Sequence, residues 1–382
     1  MADDPDRQVR AEALFRHAKM LAQAGRMEQA ATLFRRLLDE RPDAIAARLE
    51  LAHALDRMGD KDAALRELRS AQALGLPSQV ARLVDRYSDA LRSARPMGAS
   101  LEIAIAPDSN ISRSTRSDTL GTVLGDFEID EGSKAKSGLG LSLRGQAYRR
   151  FQLDEGDTSL LLRASGFADI YAKPRFNDLA LDLAAGPEFH LGRSRVQLEG
   201  GATQRWFGQE PYVLSARLKG TWTVPVGRRA QLRIGSGATL IDNQVNDLQD
   251  GKRLSAEVSF ERALSESMGG ALSVSADRDM SRDPAYSTHS LRAGLLAWRT
   301  IGRTTFTAGA ETGRLWADDR LALFPDKRRD HYLRLSLGAT LRQFTFAGFA
   351  PVTRIIVERN RSTIEFYDYR RTRTEHGIVR PF

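Results

Sequence analysis

The chain contains no cysteine. That excludes disulfides and any thiolate metal site, and it leaves the compartment open. Long apolar runs are absent as well. Mean hydropathy is −0.40, and no stretch reaches the roughly 18–20 apolar residues that a membrane-spanning helix needs. This does not speak against a membrane barrel, whose strands each give only a weak alternating signal. The opening residues, MADDPDRQVR, lack the basic-then-apolar layout of a secretion signal, so an exported protein would be a mature form with that signal removed.

Motifs for chemistry are scarce. The six histidines, His17, His53, His190, His289, His331 and His376, form no H-x-x-x-H or H-E-x-x-H pair. His289 and Ser290 are adjacent in STHS, but neighbours on a strand point to opposite faces and would not meet. GSGATL and GDKDAAL lack the Lys-Ser/Thr of a phosphate loop. The acidic groups of DEGD (154–157) and DD (318–319) read as solvated loop tips rather than a cation site. Neither an enzyme nor a cofactor or metal is expected. Net charge is +8 and the pI about 9.9, a balance that can signal nucleic acid or anionic lipid. Residues 1–95 carry 17 Lys and Arg against 15 Asp and Glu. Most of the surplus therefore lies later, scattered through alternating stretches rather than clustered. With no recognised nucleic-acid motif, no nucleic-acid partner is expected.

What the sequence does contain starts with a repeat. Ala18 matches Ala52, Leu21 matches Leu55, Gly25 matches Gly59, Ala30 matches Ala64 and Phe34 matches Leu68, each pair 34 positions apart. Small residues at facing positions let helices approach closely, and glycine suits the turn between them. The spacing resembles the tetratricopeptide repeat, a helix–turn–helix unit of that length. A further helix is expected over 78–94, where Val80, Leu83, Val84, Tyr87 and Leu91 share a face. Stacked repeats line a concave groove with their first helices. Here Phe15, Lys19, Gln23, Leu49, His53 and Arg57 would face a client. RSARPMGAS (92–100) reads as the boundary, giving an α-helical domain over 1–95 and a second domain over 96–382.

Beyond it the hydrophobic period changes to two. In RVQLEGGATQRWF, Val196, Leu198, Ala202 and Trp206 alternate with Arg195, Gln197, Glu199 and Arg205. RLSAEVSFERAL sets Leu254, Ala256, Val258 and Phe260 against Ser255, Glu257, Ser259 and Glu261. About fourteen such segments follow, each near the ~10 residues that a tilted strand needs to cross a bilayer. LGRSR, PVGRRA and TIGRTT leave room only for tight turns between antiparallel strands, whereas 107–136 and 318–330 are longer and polar. Trp206, Trp222, Trp298 and Trp316 lie toward segment ends, as an aromatic girdle requires. Charges at Arg144, Arg163, Arg217, Arg233, Glu257 and Arg334 are cheap only if their face lines a wet lumen while the apolar face meets lipid. Closure removes the edges that so long a sheet would otherwise expose. The expected fold is thus a helical repeat module followed by a ~14-stranded antiparallel transmembrane β-barrel. Phe382, sharing a face with Ile378 and His376, matches the terminal strand of bacterial outer-membrane proteins, whose final aromatic is read by the barrel assembly machinery.

Three stretches carry a more specific likeness. IAPDSNIS (105–112), FNDLALDLAAGPEF (176–189) and the closing run APVTRIIVERNRSTIEFYDYRRTRTEHGIVRPF (350–382), behind a tetratricopeptide module, resemble the Slam family, the surface lipoprotein assembly modulators. The resemblance implies an outer-membrane barrel of fourteen strands in a Gram-negative bacterium, with its helical domain in the periplasm. It further implies a non-enzymatic factor that delivers surface lipoproteins or small secreted ligand-binding proteins to the cell surface. Its partners would be that client, the barrel assembly machinery and outer-membrane lipid. Pro107, Asp108, Asn110 and Ile111 would shape a loop at the barrel mouth. The first rival is an outer-membrane channel for small solutes or exopolysaccharide, and the second an outer-membrane enzyme.

Overall fold

The computed structural model describes residues 5–41, 44–58, 63–64, 67–68, 96–153, 158–227, 229–265, 268–302 and 304–381. The helix expected at 78–94, Gly59, the 154–157 tip and Phe382 lie outside the described residues. The chain separates into two compact units, Met1–Arg95 and Pro96–Phe382.

In the first unit, helices α1 (Pro5–Gln23), α2 (Met27–Glu40) and α3 (Ile45–Arg57) pack around a small apolar core. The residues that repeat at offset 34 are its centre. Ala18, Ala30, Ala52, Ala64 and Phe34 are completely buried, Leu55 and Leu68 nearly so. The alanines permit close helix approach, and Phe34 fills the space between, meeting Phe15 edge-on at 5.9 Å. Gly25 sits in the α1–α2 turn at φ +77°, a conformation that a side chain would strain. Among the described residues no helix is long and apolar enough to cross a membrane.

The second unit is a closed antiparallel barrel of fourteen strands. These are β1 (Met97–Asp108), β4 (Gly138–Gln152), β5 (Thr158–Tyr171), β6 (Asp178–Leu191), β7 (Ser194–Phe207), β8 (Glu210–Val226) and β9 (Ala230–Asn243). They continue with β10 (Gly251–Ala263), β11 (Met268–Ser281), β12 (Thr288–Ile301), β13 (Thr304–Ala317), β14 (Arg329–Leu341), β15 (Ala350–Ser362) and β16 (Tyr369–Pro381). A two-stranded hairpin, β2 (Thr119–Thr122) and β3 (Gly125–Glu128), stands apart from the barrel. Every barrel strand pairs with its sequence neighbour, and β1 closes the sheet against β16.

Alternation sorts the side chains into two faces. Leu218, Leu272 and Leu337 are 64%, 58% and 61% exposed, as expected for a surface that lipid covers rather than water. The alternate positions carry the charges. Closure depends on a close approach at Gly377. A Cβ there would lie 2.0 Å from the Ile103 carbonyl oxygen, so only glycine lets β16 reach β1.

The two ends of the barrel differ. At one, the turn end, strands reverse tightly through Gly192, Gly227 and Gly302, all at positive φ. At the other, the loop end, most connections are longer, the two-residue Gly208–Gln209 turn between β7 and β8 excepted, and four contain a 3-10 turn: Pro174–Phe176, Asp247–Gln249, Pro284–Tyr286 and Glu365–Tyr367. The turn end has one long connection of its own, 342–349. Two of these turns are capped by side chains, Asn246 accepting from the Leu248 amide and Asp283 from the Ala285 amide. Trp206 and Trp316 occupy the loop-end limits of β7 and β13. Trp222 lies toward the turn end on the outer face, 46% exposed. Trp298 departs from the girdle pattern. It pairs with Gly269, shares the parity of Arg292, and lays its ring over that glycine on the inner face.

Candidate functional site: the lumen and the first loop

The inner face is built of arginine–carboxylate pairs whose partners sit on adjacent or nearby strands, all on the inward parity. On β1, β4, β15 and β16 they form one network. Arg354 donates to Glu102 at 3.2 Å and to Glu375 at 2.5 Å. Arg144 lies 3.1 Å from Glu375 and 3.7 Å from Glu102. Arg373 reaches across to β5, donating to both oxygens of Asp169 at 2.7 and 3.0 Å. Toward the loop end, Arg371 grips Asp108 through Nε and a terminal nitrogen, then extends to Glu358 at 3.2 Å. Glu358 is also approached by Arg334 at 3.6 Å and by Arg113 of the first loop at 3.7 Å. Burial this deep is tolerable because each charge has an opposite one in contact.

The far wall pairs locally. Arg217 holds Asp182, with Thr203 donating to the same carboxylate at 2.6 Å. Arg163 meets Glu199 at 3.5 Å, Arg205 meets Asp178 at 2.8 Å and Arg253 meets Asp279 at 2.6 Å. Arg233 and Glu257 occupy the inner parity of β9 and β10 with no ion-pair partner among the described residues. Water-sized space remains between the walls. A cavity of about 690 Å³ is bounded by Arg113, Arg144, Asp169, Asp182, Arg205 and Arg373 among others. A second, of about 410 Å³, lies among Lys219, Arg253, Glu257, Asp277, Arg292 and Glu311.

The PDSNI segment works at the seam between the first and last strands. Pro107 ends the outer face of β1. Asp108 receives Arg371 and also the Asn110 amide, at 2.9 Å. Asn110 is fully buried. Its side-chain nitrogen donates to the Ser114 carbonyl at 2.8 Å and the Arg370 carbonyl at 3.1 Å, and its oxygen accepts from the Ser114 amide at 3.1 Å. Between them Ser109 and Thr372 exchange hydrogen bonds, Ser109 N to Thr372 O at 3.0 Å and Thr372 N to Ser109 Oγ at 2.8 Å. Ile111 packs beside Gly138. One further backbone bond and then side chains thus continue the β1–β16 seam past Asp108. Asn110→Ala is expected to cost about 1–3 kcal/mol locally, since it leaves buried backbone groups unmet. Hydrogen exchange of the 109–117 amides should accelerate while the strands stay protected.

The rest of the first loop, 109–137, leans over β13–β16. The Val123 amide donates to the Leu323 carbonyl at 3.0 Å, and Gly121 lies beside Glu365. Lys134 holds the base together, donating to Asp118 at 2.7 Å and Glu131 at 2.6 Å. The hydrogen bonds and charge of Lys134 hold both carboxyls below their usual range, and those bonds push the lysine upward. A depressed carboxyl stabilises above its unfolded value near 4 and fades as pH falls through the folded one; a raised ammonium stabilises below about 10.4 and fades only above that. Exchange at the Ile129 and Ala135 amides, corrected for intrinsic rates, should therefore be flat from about pH 5 to 9 and rise below about pH 4.

The positions singled out from sequence distribute as follows. Arg144, Arg163, Arg217, Arg233, Glu257 and Arg334 all take inner-face parity. In the helical unit, Phe15 and Leu49 are half-buried against the core instead of presented outward. Gln23, His53 and Arg57 are exposed, and Lys19 approaches Glu50 of α3 at 3.8 Å. His289 stacks on Trp316 on the outer face at 5.2 Å while Ser290 faces Asp277 inside, so the two do not meet. Sequence reading missed Glu102, Arg354, Glu358, Arg371, Arg373 and Glu375. Their signal was present as charges at alternate positions, R371-x-R373-x-E375, opposite R354-x-x-x-E358.

A profile described as surface lipoprotein assembly modifier matches residues 99–376, nearly the whole barrel unit. The chain belongs to the surface lipoprotein assembly modifier family. A tetratricopeptide-repeat profile matches residues 21–87. Surface lipoprotein assembly modifier 1 of Neisseria meningitidis serogroup B is 24% identical over 369 residues, covering 93% of this chain and 72% of that protein. The Haemophilus influenzae protein of the same name is 22% identical over 188 residues, 49% of this chain and 38% of its own length. Among solved structures, a bacterial polysaccharide outer membrane secretin aligns at TM-score 0.39 and 11% identity over 74% of this chain and 98% of that one, too loose a likeness to carry an argument about function. With its exposed apolar outer face and closed sheet, this family member is an outer-membrane barrel.

Proposed function

We propose that the protein helps lipoprotein clients reach the outer surface of the outer membrane. The helical repeats receive the client on the periplasmic side, and the barrel serves as its insertion platform or passage. The observation that carries this reading is the family match over residues 99–376, which spans the barrel from β1 to β16. The turn end of the barrel would face the periplasm and the longer loops the outside, as short turns and long loops are usually disposed in such barrels. The polar positions Lys19, Gln23, His53 and Arg57 would contact the client. Surface delivery of a co-expressed lipoprotein, scored by protease shaving of intact cells, tests the proposal. Delivery should depend on this protein and fall when Gln23, His53 and Arg57 are replaced together by glutamate. Equal delivery without the protein would refute it.

A channel is the second reading, favoured by the charged lumen with its cavity of about 690 Å³. Against it stand the cross-strand pairs of Arg113, Arg144, Arg354 and Arg373, which occupy the lumen, and the first loop leaning over the β13–β16 side. Planar-bilayer recordings divide the two. Steady conductance without client would support a channel. Closed bilayers together with client-dependent delivery would support assembly.

A further inference from the structure

The outer wall is asymmetric in charge at the loop end. On β1, β4 and β6 the last two outward positions there are Ile105 and Pro107, Leu139 and Leu141, Leu179 and Leu181. On β11 through β16 the equivalent positions hold Arg278, Arg314, Arg329, Arg359, Arg361 and Arg370, with His289 and His331 between them. Cross-strand pairing makes them one continuous patch. Arg278 stands opposite His289, His289 opposite Trp316, and Trp316 opposite Arg329. Arg314 stands opposite His331, His331 opposite Arg361, and Arg359 opposite Arg370. Asp318 answers Arg278 at 2.6 Å and Asp368 answers Arg359 at 2.6 Å. Arg314, Arg329, Arg361 and Arg370 are exposed and have no ion-pair partner among the described residues.

Unpaired like charges in a row repel one another and together attract an anion from outside the chain. Arg314 stands directly across from the lipid-facing Leu291, and Arg329 and Arg361 are one outward position beyond the next, four residues from Leu333 and Val357, which sets their guanidiniums at the membrane interface with their stems on apolar surface. The planar guanidinium fork matches phosphate. Beside them, an outward cleft of about 430 Å³ runs between Leu254, Ala256, Ala276, Leu291 and the stacked His289–Trp316 pair. Apolar below and cationic above, it fits an acyl chain carrying an anionic head.

We infer that the loop-end wall of β11–β16 binds a phosphorylated glycolipid of the surrounding leaflet, its phosphates on Arg314, Arg361 and Arg370 and an acyl chain in the cleft beneath Trp316. The inference rests on the membrane placement above but not on delivery of a client. An anionic lipid fixed on this wall would hold the β11–β16 sector at one depth.

The test uses the full chain purified in detergent and a hexa-acylated bis-phosphorylated glucosamine disaccharide as probe, with binding read by native mass spectrometry and fluorescence titration. Wild type should bind it, with affinity falling as salt rises. R314Q/R361Q/R370Q should weaken binding roughly 10- to 100-fold. R149Q/R262Q/R299Q, which removes outward arginines at the turn end, should leave it unchanged. Heat-modified gel mobility checks that both variants are closed barrels. R314K/R361K/R370K, which keeps the charge, should retain salt-dependent binding. Equal binding of the dephosphorylated lipid, or equal loss in the turn-end variant, would overturn the inference. So would unchanged lipid binding in the loop-end variant accompanied by lost capture of an acidic client protein. Lipid binding by a protein that delivers no client would uphold this inference while the delivery reading fails.

Discussion

Leu335→Arg is expected to destabilise the barrel by about 2–4 kcal/mol, the cost of placing arginine near the bilayer midplane on the lipid face. Leu335 is the central residue of β14, 47% exposed and flanked by the outward Leu333 and Leu337. Its neighbour Ser336 faces inward, opposite Gly309 and Ile356. Ser336→Arg would place the same charge beside the enclosed polar space and should cost under ~1 kcal/mol. Urea unfolding in lipid vesicles, followed by tryptophan fluorescence and heat-modifiable gel mobility, compares the two. Similar midpoints would mean that lipid does not cover the leucine face, and the membrane assignment would fall with that result.

The second large effect is expected at Asp108. Asp108→Ala strips Arg371 of its two-pronged acceptor in a site where Asp108 is 4% exposed and Arg371 6%. Breaking one partner of so buried a pair typically costs about 3–5 kcal/mol, because the remaining charge is left in low dielectric. Glu358 remains within 3.2 Å of Arg371, which places the effect toward the lower end. The double variant D108A/R371A should cost less than the sum of the singles, since neither charge is then stranded. The same series should loosen the first loop, because Asp108 also accepts from the Asn110 amide. Additive costs would show that the pair is solvated and that the loop is anchored elsewhere.

The barrel was legible in the sequence because each strand states its own two faces. Val196, Leu198 and Ala202 against Arg195, Gln197 and Glu199 suffice to place β7, and tight glycine turns tell which strands are antiparallel neighbours. The helical core was legible for a similar reason, since Ala18 and Ala52 repeat at the helix-pair period. The seam network was not. Asp108 and Arg371 are 263 residues apart, and no local pattern couples them. The contact of Phe15 with Phe34 was not legible either, because periodicity assigns a face without naming the partner on the next helix. Trp298 misled because its ring covers Gly269 from the inner side, a contact fixed by register across β11 and β12.

The clasp between β1 and β16 has a kinetic consequence. Contacts between sequence-neighbouring strands join residues far closer in the chain and can form early, whereas Ile103 with Ile378 and Asp108 with Arg373 join opposite ends of the sheet. Entropy opposes such distant pairing until the intervening strands have ordered. Until then the sheet has two bare edges at once, β1 and β16, each able to recruit a foreign strand. Ring closure should therefore be the last and slowest event in making this protein, and weakening the Asp108 clasp should lengthen the lifetime of the open-edged intermediate more than it slows any single hairpin.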